Sequence, residues 1–186
     1  MPMPDRGRSP MAELPLKATI CQGILHEPNM EAALKSLGEM GATDIIPVRT
    51  KKAFSFSVRN TKDTQHLQSC AERFVKNSLR EVAPTVHEPM DFADAVKLIG
   101  EHDVAILAYE NQHDPLCTAK ALAECKGAES VIVFIGPERG FAPEEVELAR
   151  QAGAHIVSLG GRIIRAANAG AVLLGMLVYV LELNGG

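Results

Sequence analysis

Five apolar residues and a glycine turn follow one another in Val131-Ile132-Val133-Phe134-Ile135-Gly136-Pro137-Glu138-Arg139-Gly140-Phe141. Further along, the apolar run His155-Ile156-Val157-Ser158-Leu159 leads into Gly160-Gly161-Arg162-Ile163-Ile164-Arg165, and an apolar helix begins near Asn168. Both apolar runs are typical of buried strands. In an open α/β sheet, ligands bind at loops that leave the carboxyl ends of strands, so the two loops are predicted to line one pocket.

Strand-like and helix-like segments alternate through the rest of the chain. Apolar runs typical of strands lie at 16–22, 44–48, 85–87 and 104–109. Helical patterns lie at 30–40, 61–81 and 115–125, and shorter ones open at Asp91 and Pro143. This alternation predicts an α/β fold with a mostly parallel sheet and helices on both faces. We expect a flexible tail over 1–13 and one domain over 14–186, because no linker divides the chain.

The composition excludes several classes of protein. The 186 residues are 46% hydrophobic, which is enough for one core. Only 4% are aromatic and none is Trp, which argues against a base-stacking sheet. The amino terminus lacks the apolar stretch of a secretory signal, and the apolar run 169–181 is too short to span a bilayer. We therefore expect no membrane partner.

The cysteines and histidines show no recognisable motif. Cys21, Cys70, Cys117 and Cys125 have no Cys-x-x-Cys spacing, and none stands beside a histidine in a metal-ligand pattern. The six histidines form no His-Glu-x-x-His motif. We expect reduced thiols in a cytoplasmic protein and no metal.

The net charge of −4 is unevenly distributed. Residues 1–87 carry 12 Lys and Arg against 9 Asp and Glu, whereas residues 88–186 carry 7 against 14. Between Arg49 and Arg80, eight basic side chains accompany two acidic ones. This stretch predicts a basic patch for nucleic acid. A solvated helix face with a charged loop explains the same charges.

The two glycine loops offer different chemistry. Gly136 and Gly140 let a ligand approach bare main-chain N–H and C=O groups. Arg162 and Arg165 place fixed positive charge before a helix N-terminus, which favours an anionic or electron-rich partner. A structural turn and surface ion pairs are the alternatives. A dinucleotide-binding oxidoreductase is disfavoured, because Gly-x-Gly-x-x-Gly is missing.

Taken together, the stretches Phe134-Ile135-Gly136-Pro137-Glu138-Arg139-Gly140-Phe141 and Ser158-Leu159-Gly160-Gly161-Arg162-Ile163-Ile164-Arg165 resemble the paired signature of one family of SPOUT methyltransferases. That family methylates N3 of a uridine in small-subunit ribosomal RNA, using S-adenosylmethionine. The order, the spacing, the intervening Pro-Glu-Glu helix and the apolar terminal helix all match. The likeness extends upstream to about Leu14.

The resemblance implies an α/β domain whose carboxyl-terminal segment forms a trefoil knot around the cofactor, in a homodimer with the knot at the interface. The helix over 169–181 fits such an interface, and it equally fits the core helix of a monomer. Ribosomal RNA is the implied partner. The resemblance also implies an S-adenosylmethionine site, made largely of main-chain groups, at Tyr109, Glu110, Ile135, Gly136, Pro137, Glu138, Gly140, Leu159, Gly160, Arg162, Ile163 and Ile164.

Arg165 matches the last arginine of the family signature and is the implied catalytic residue. Methylation of N3 requires positioning and stabilisation of a developing uracil anion, which suits a permanent positive charge. The family's usual RNA-gripping β-barrel domain falls outside the resemblance. We therefore expect phosphate contacts, with steep salt dependence, from Arg49, Lys51, Lys52, Arg73, Lys76 and Arg80.

Three stretches depart from the family pattern, one of them being Ala71-Glu72-Arg73-Phe74 where the family has Ala-Glu-Gln-Ser on its long helix. Arg139 replaces the second glycine of Gly-Pro-Glu-Gly-Gly, and positive φ at that position would cost roughly 1–3 kcal/mol. Ala167-Asn168-Ala169 replaces Glu-Thr-Ala, and Asn168 is expected to cap the terminal helix. Arg139 and Ala167 keep a second function open, that of a non-catalytic relative that binds RNA or a protein partner.

Overall fold

Strands and helices alternate in the computed structural model, which describes residues 13–53, 61–76 and 78–184. The strands are β1 (Lys17–Gly23), β2 (Asp44–Arg49), β3 (Thr85–Val86), β4 (Met90–Asp91), β5 (Val104–Ala108), β6 (Ser130–Ile135) and β7 (His155–Val157). The helices are α1 (Asn29–Glu39), α2 (Thr61–Val75), α3 (Phe92–Lys97), α4 (Pro115–Glu124), α5 (Pro143–Gln151) and α6 (Ala166–Val178). A 3₁₀ turn (Leu98–Glu101) follows α3, and a π-helical turn (Tyr179–Leu183) follows α6. The predicted alternation is confirmed, and within the described ranges β4 is the one strand added to it.

The described strands form one sheet in the order β3-β2-β1-β6-β5-β7, and β4 also pairs with β2. Every pairing among these strands is parallel. Ile20 in the central strand β1 lies beside Ile45 on one side and Val133 on the other. Strands buried on both faces consist of continuous apolar runs, which explains the pattern of 131–135. The predicted α/β class is confirmed.

Helices cover both faces of this sheet. On one face, α1, α2, α4 and α6 bury a large aliphatic cluster that includes Ile20 and Val133. On the other face, α3 and α5 enclose Phe92, Phe134 and Phe141, with ring centroids 5.8 and 5.3 Å from that of Phe92. Successive residues of β6 therefore serve different cores, as strand geometry requires.

The last helix returns from an edge of the sheet to its centre. β7 lies at the edge beyond β5, yet α6 packs against α1 and β6. A Cβ at Gly170 would lie 2.6 Å from Leu37 Cδ2 and 3.6 Å from Ile135 Cγ1, so this close approach depends on glycine. The segment 158–165 therefore runs from the carboxyl end of β7 toward that of β6.

The apolar carboxyl-terminal helix is longer than its sequence indicates. With the π turn it covers 18 residues, Ala166–Leu183, at a mean hydropathy of 1.8, and by length and composition it meets the requirement for a membrane span. The expectation that this segment is too short was wrong, because the helix extends beyond 169–181 at both ends. Leu173, Leu174 and Leu177 are nevertheless buried in the domain core. Helices that pack in a soluble core satisfy the same length and composition test.

The caps of α6 and α2 differ from the predictions. Arg165 is the N-cap of α6, so Asn168 lies in the first turn and does not cap the helix. The helix expected over 61–81 ends at Val75. Its carbonyl accepts hydrogen bonds from Ser78 N–H at 2.9 Å and Ser78 Oγ at 2.8 Å. A hydroxyl that bonds a nearby carbonyl competes with helix continuation.

The predicted tail over 1–13 lies outside the described residues, apart from Glu13. The Glu13 carboxylate lies 2.6 Å from Arg80 Nη2, and Leu14 packs against Gly41, where a Cβ would approach Leu14 Cγ to 2.6 Å. Residue 13 therefore belongs to the folded domain.

Candidate functional site

The turn over 136–140 packs against the end of β1. The Pro137 carbonyl accepts a hydrogen bond of 2.8 Å from Gly140 N–H, which closes a four-residue turn. A Cβ at Gly136 would lie 3.1 Å from Gly140 Cα, and one at Gly23 would lie 2.6 Å from Pro137 N. Such close backbone packing excludes a larger residue at Gly23 and makes any side chain at Gly136 tight. Gly23 was missed at the sequence level, although a glycine directly after an apolar strand is the signal that points to it.

The residues after β5 connect this turn to β7. Tyr109 N–H donates a hydrogen bond of 2.9 Å to the Val157 carbonyl. Gly140 has a φ of 67°, and a Cβ there would overlap the Glu110 carboxylate. The structure therefore brings the predicted residues Tyr109, Glu110, Gly136 and Gly140 together at the carboxyl edge of the sheet.

Glu138 braces the turn from the other side. Its Oε1 accepts hydrogen bonds from His26 N–H at 2.9 Å and from Asn29 Nδ2 at 3.3 Å. Both donors precede or begin α1, so the carboxylate joins the 136–140 turn to the loop that follows β1. The sequence pattern did not indicate this role, because the partners are more than a hundred residues away.

The segment after β7 presents main-chain donors beside open space. Ser158 is held by Thr118 of α4, whose Oγ1 accepts from Ser158 N–H at 3.1 Å and donates to its carbonyl at 2.9 Å. Gly160 has a φ of 105° and donates to Ser158 Oγ. Within the described residues, the N–H groups of 161–164 have no hydrogen-bond acceptor. A Cβ at Gly161 would meet nothing within 4 Å.

The side chains of this segment point to two environments. Leu159 and Ile164 pack against the aliphatic core, whereas Ile163 is 97% exposed. Arg162 and Arg165 are exposed, and neither guanidinium has a hydrogen-bond or ion-pair partner among the residues that the structure describes.

Arg165 lies close to the end of β6. Gly170 of α6 faces Ile135. Arg165 lies five positions before Gly170, or about 7.5 Å along the helix axis. Ile135 directly precedes the 136–140 turn. The return of α6 therefore brings a permanent positive charge to the edge of the sheet where the predicted cofactor residues meet.

Arg139 does not introduce the strain that its replacement of a glycine suggested. Among the described non-glycine residues only Leu79 has positive φ, so Arg139 has an ordinary backbone conformation. The left-handed position of the turn is Gly140, which this chain retains. The condition for roughly 1–3 kcal/mol of strain, a positive φ at Arg139, is therefore not met.

The predicted basic patch is divided in the structure. Arg49, Lys51 and Lys52 are exposed at the carboxyl end of β2. Arg73 and Lys76 are exposed near the last turn of α2, on the order of 20 Å from the start of that helix. These positions place the two groups toward different ends of the sheet.

Arg80 is not a surface residue, which corrects the prediction that it contacts RNA. Its side chain is 3% exposed and pairs with Glu13. Its Nη1 donates to the carbonyls of Gly38 and Ala42. Arg80 thereby satisfies carbonyl groups at the end of α1, and it has no face left for phosphate.

Comparisons with known proteins agree with this geometry. The profile of a family described as RNA methyltransferase domain matches residues 12–178. Ribosomal RNA small subunit methyltransferase E of Synechocystis sp. is 29% identical over 171 residues, which are 91% of this chain and 55% of that protein. The protein of the same name from Mesomycoplasma hyopneumoniae is 23% identical over 159 residues, or 85% of this chain and 67% of that protein.

Two solved structures share the fold. Ribosomal RNA small subunit methyltransferase E from Neisseria gonorrhoeae, bound to S-adenosyl methionine, has a TM-score of 0.81 at 23% identity, covering 90% of this chain and 68% of that one. A putative methyltransferase from Legionella pneumophila, in complex with the same cofactor, has a TM-score of 0.80 at 22% identity, covering 89% and 67%. The chain thus spans little more than half of its Synechocystis relative and about two thirds of the other three proteins. Since the family profile covers almost all of the sequence, the chain belongs to the family of RNA methyltransferase domains.

Proposed function

We propose that this chain is the catalytic domain of a methyltransferase that uses S-adenosylmethionine to methylate N3 of a uridine in ribosomal RNA. The observation that carries the proposal is that the 136–140 turn, Glu110 and the 158–165 segment, which ends in Arg165, all follow the adjacent strands β6, β5 and β7 at one sheet edge. The names of the Synechocystis and Mesomycoplasma relatives support ribosomal RNA as the substrate.

The residues at this edge fit S-adenosylmethionine. The N–H groups of 161–164 provide main-chain donors for its polar groups, beside the open space at Gly161. The buried Gln22 Oε1, at the carboxyl end of β1, lacks a hydrogen-bond partner among the described residues. The Neisseria and Legionella relatives hold this cofactor in the same fold. The proposed contacts are those of Tyr109, Glu110, Ile135, Gly136, Pro137, Glu138, Gly140, Leu159, Gly160, Arg162, Ile163 and Ile164.

The proposed role of Arg165 is to stabilise the uracil ring as N3 loses its proton to solvent water, since a guanidinium is already protonated and cannot accept it. When bound, the cofactor supplies an electrophilic methyl group on a sulfonium. The guanidinium of Arg165 is permanently charged and engaged by no described residue, so it is available to the developing anion on the uracil oxygens. Arg162, also exposed, orders the segment or contacts a phosphate.

Phosphate contacts are assigned to Arg49, Lys51 and Lys52, which share the carboxyl edge of the sheet with the proposed cofactor site. Arg73 and Lys76 extend the RNA surface only if the RNA reaches the far end of α2. Each lost phosphate contact lowers the salt dependence of RNA binding. Lys52→Ala should therefore reduce this salt dependence, whereas Lys76→Ala should reduce it only if the RNA reaches the far end of α2.

The trefoil knot and the homodimer are parts of the same proposal. The passage of 158–165 from the edge strand β7 to a helix packed on α1 and β6 supports the knot. A groove of about 570 Å³ between α4 and α6, lined by Leu122, Ala123, Val172, Met176 and Tyr179, supports the dimer. Light scattering of the wild type and of Met176→Glu tests it, and a wild-type monomer at micromolar concentration contradicts it.

One domain over 14–186, extended by Glu13, in a reducing cytoplasmic compartment completes the proposal. The four cysteines are free, as such a compartment favours.

Methyl transfer to unmodified small-subunit ribosomal RNA tests the proposal. Nuclease digestion and mass spectrometry should identify N3-methyluridine, and Arg165→Ala should lower turnover by about 100-fold or more. Calorimetry should show nearly unchanged S-adenosylmethionine affinity in that variant. Arg150→Ala, which removes an exposed arginine from α5, is the matched control and should retain full activity.

Three outcomes contradict parts of the proposal separately. Unchanged turnover in Arg165→Ala removes that residue from the mechanism. A different methylated nucleotide overturns the uridine-N3 assignment. Failure of the wild type to bind S-adenosylmethionine overturns the assignment of methyltransferase activity and favours the alternative of a non-catalytic relative.

A further inference from the structure

Three side chains of metal-ligand type converge between α1 and α2, outside the proposed cofactor site. His66 and Cys70 stand four residues apart on α2 and therefore share one face of that helix. Glu31 reaches them from the first turn of α1. The three candidate ligand atoms all lie within 4.8 Å of one another.

The distances resemble those around a tetrahedral zinc ion. Zinc bonds of about 2.0–2.1 Å to nitrogen and oxygen and about 2.3 Å to sulfur, at tetrahedral angles, place N and S about 3.6 Å apart and N and O about 3.3 Å apart. His66 Nε2 lies 3.7 Å from Cys70 Sγ and 2.9 Å from Glu31 Oε1. The distance from His66 Nε2 to Glu31 Oε1 has to lengthen by a few tenths of an ångström, and the carboxylate lies within 4.8 Å of Cys70 Sγ.

The mobility and burial of the three groups suit this adjustment. Cys70 is buried and fixes one corner of the site. The side chains of His66 and Glu31 are 56% and 34% exposed, so they can rotate around an entering ion. Burial and the Glu31 carboxylate raise the pKa of the Cys70 thiol, and the Arg73 guanidinium, with Nη2 3.5 Å from Sγ, acts against them. An entering ion therefore has to displace the thiol proton.

We propose that Glu31, His66 and Cys70 bind a zinc-like divalent cation that joins α1 to α2, with water at the fourth position. Imidazole, thiolate and carboxylate form a donor set that zinc accepts. The ion would fix α2 against the helix that carries Asn29, which lies two residues before Glu31 and bonds to Glu138 of the 136–140 turn. This site stands independently of the proposed methyl transfer.

Cobalt(II) titration of the full chain, first freed of metal with a chelator, tests the site. We expect a sulfur-to-cobalt charge-transfer absorption that saturates at one equivalent and disappears on addition of zinc. Cys70→Ser should abolish this absorption, and His66→Gln should weaken cobalt binding by about ten-fold or more. Cys117→Ser, which removes a partly exposed cysteine of α4, should retain the absorption.

The effect of zinc on the thermal unfolding temperature is a second test of the same site. Zinc should raise the Tm of the wild type and of Cys117→Ser, because an ion that binds only the folded chain stabilises it. It should raise the Tm of His66→Gln by less at the same zinc concentration, and the exposed side chain of His66 is not needed for the core. A wild type without the saturable absorption, or an absorption that persists in Cys70→Ser, overturns the proposal. An equal zinc effect on the Tm of His66→Gln also overturns it.

Discussion

Glu145 Oε1 accepts a hydrogen bond of 2.9 Å from the backbone N–H of Lys51, which lies just beyond β2. The other oxygen, Oε2, accepts a hydrogen bond of 2.8 Å from Ala142 N–H at the start of α5. The residue is 4% exposed. One buried carboxylate therefore joins the helix that follows the 136–140 turn to the start of the proposed RNA surface.

Removal of this carboxylate should destabilise the whole domain. Glu145→Ala leaves two backbone N–H groups without an acceptor, and we expect the free energy of unfolding to fall by about 2–4 kcal/mol. Glu145→Gln keeps one acceptor oxygen and should lie between this variant and the wild type. Urea denaturation measures both. Glu144→Ala, an exposed neighbour bonded to Lys51 Nζ, is the control and should unfold like the wild type.

Arg80 should behave as a structural residue and not as an RNA contact. Arg80→Ala removes the donors to Gly38 and Ala42 and the partner of Glu13. We expect a loss of about 2–4 kcal/mol in unfolding free energy, since two carbonyls each lose a charged donor and Glu13 loses its ion-pair partner. Binding of RNA by the variant, measured below its unfolding temperature, should keep the wild-type salt dependence. A shallower salt dependence in Arg80→Ala would mean that Arg80 contacts RNA phosphate and would contradict the structural role.

The burial of Arg80 could not be predicted from the sequence. The charge of a basic stretch can be read directly from its residues. The burial of Arg80 instead depends on carbonyls at the end of α1, which lie some forty positions away in the chain. The cluster of Glu31, His66 and Cys70 escaped detection for a similar reason. His66 and Cys70 have helical spacing, but their third partner comes from another helix.

The strands and the position of the glycine turn after β6 could be predicted because their signals are local. The apolar run 131–135 is buried on both faces of the sheet, and the glycine turn follows it directly. Gly140 has a positive φ, which glycine adopts without steric cost, so the residue type itself indicates the turn. The return of α6 could not be read in this way, because it depends on the fit of Gly170 against Leu37 and Ile135.

Asp44 should make stability depend on pH. Burial acts to raise the pKa of this carboxyl, but the hydrogen bonds from His87 at 2.6 Å and from Lys17, with the charges of both, outweigh it and hold the pKa below its usual value. A carboxyl whose pKa is lower in the folded than in the unfolded state stabilises the fold above the unfolded pKa of about 3.9. That contribution is lost as the pH falls through the folded pKa.

Asp44→Asn tests this dependence. The variant should be less stable than the wild type at pH 7, and the difference should shrink as the pH falls below about 4. Chemical denaturation at pH 7, 5 and 3 measures the difference. Asp94→Asn, in an exposed pair with Lys97, should match the wild type at every pH. A difference between Asp44→Asn and the wild type that stays constant down to pH 3 would contradict the assignment.

Gly140→Ala tests whether the geometry of the 136–140 turn determines cofactor binding. The alanine would combine a positive φ, at about 1–2 kcal/mol, with an overlap between its Cβ and the Glu110 carboxylate. Gly127→Ala is the matched control, because Gly127 has a φ of 87° and its Cβ would meet nothing within 4 Å. Both variants should lose similar stability in thermal unfolding.

Only the change at Gly140 should displace Glu110 and the turn. We therefore expect its S-adenosylmethionine affinity, measured by calorimetry, to fall on the order of ten-fold or more, because small displacements of positioning groups have large effects. Gly127→Ala should bind the cofactor as the wild type does. Equal affinities in the two variants would mean that the contact between Gly140 and Glu110 maintains the fold without shaping the site, and the proposed cofactor pocket would then have to exclude this turn.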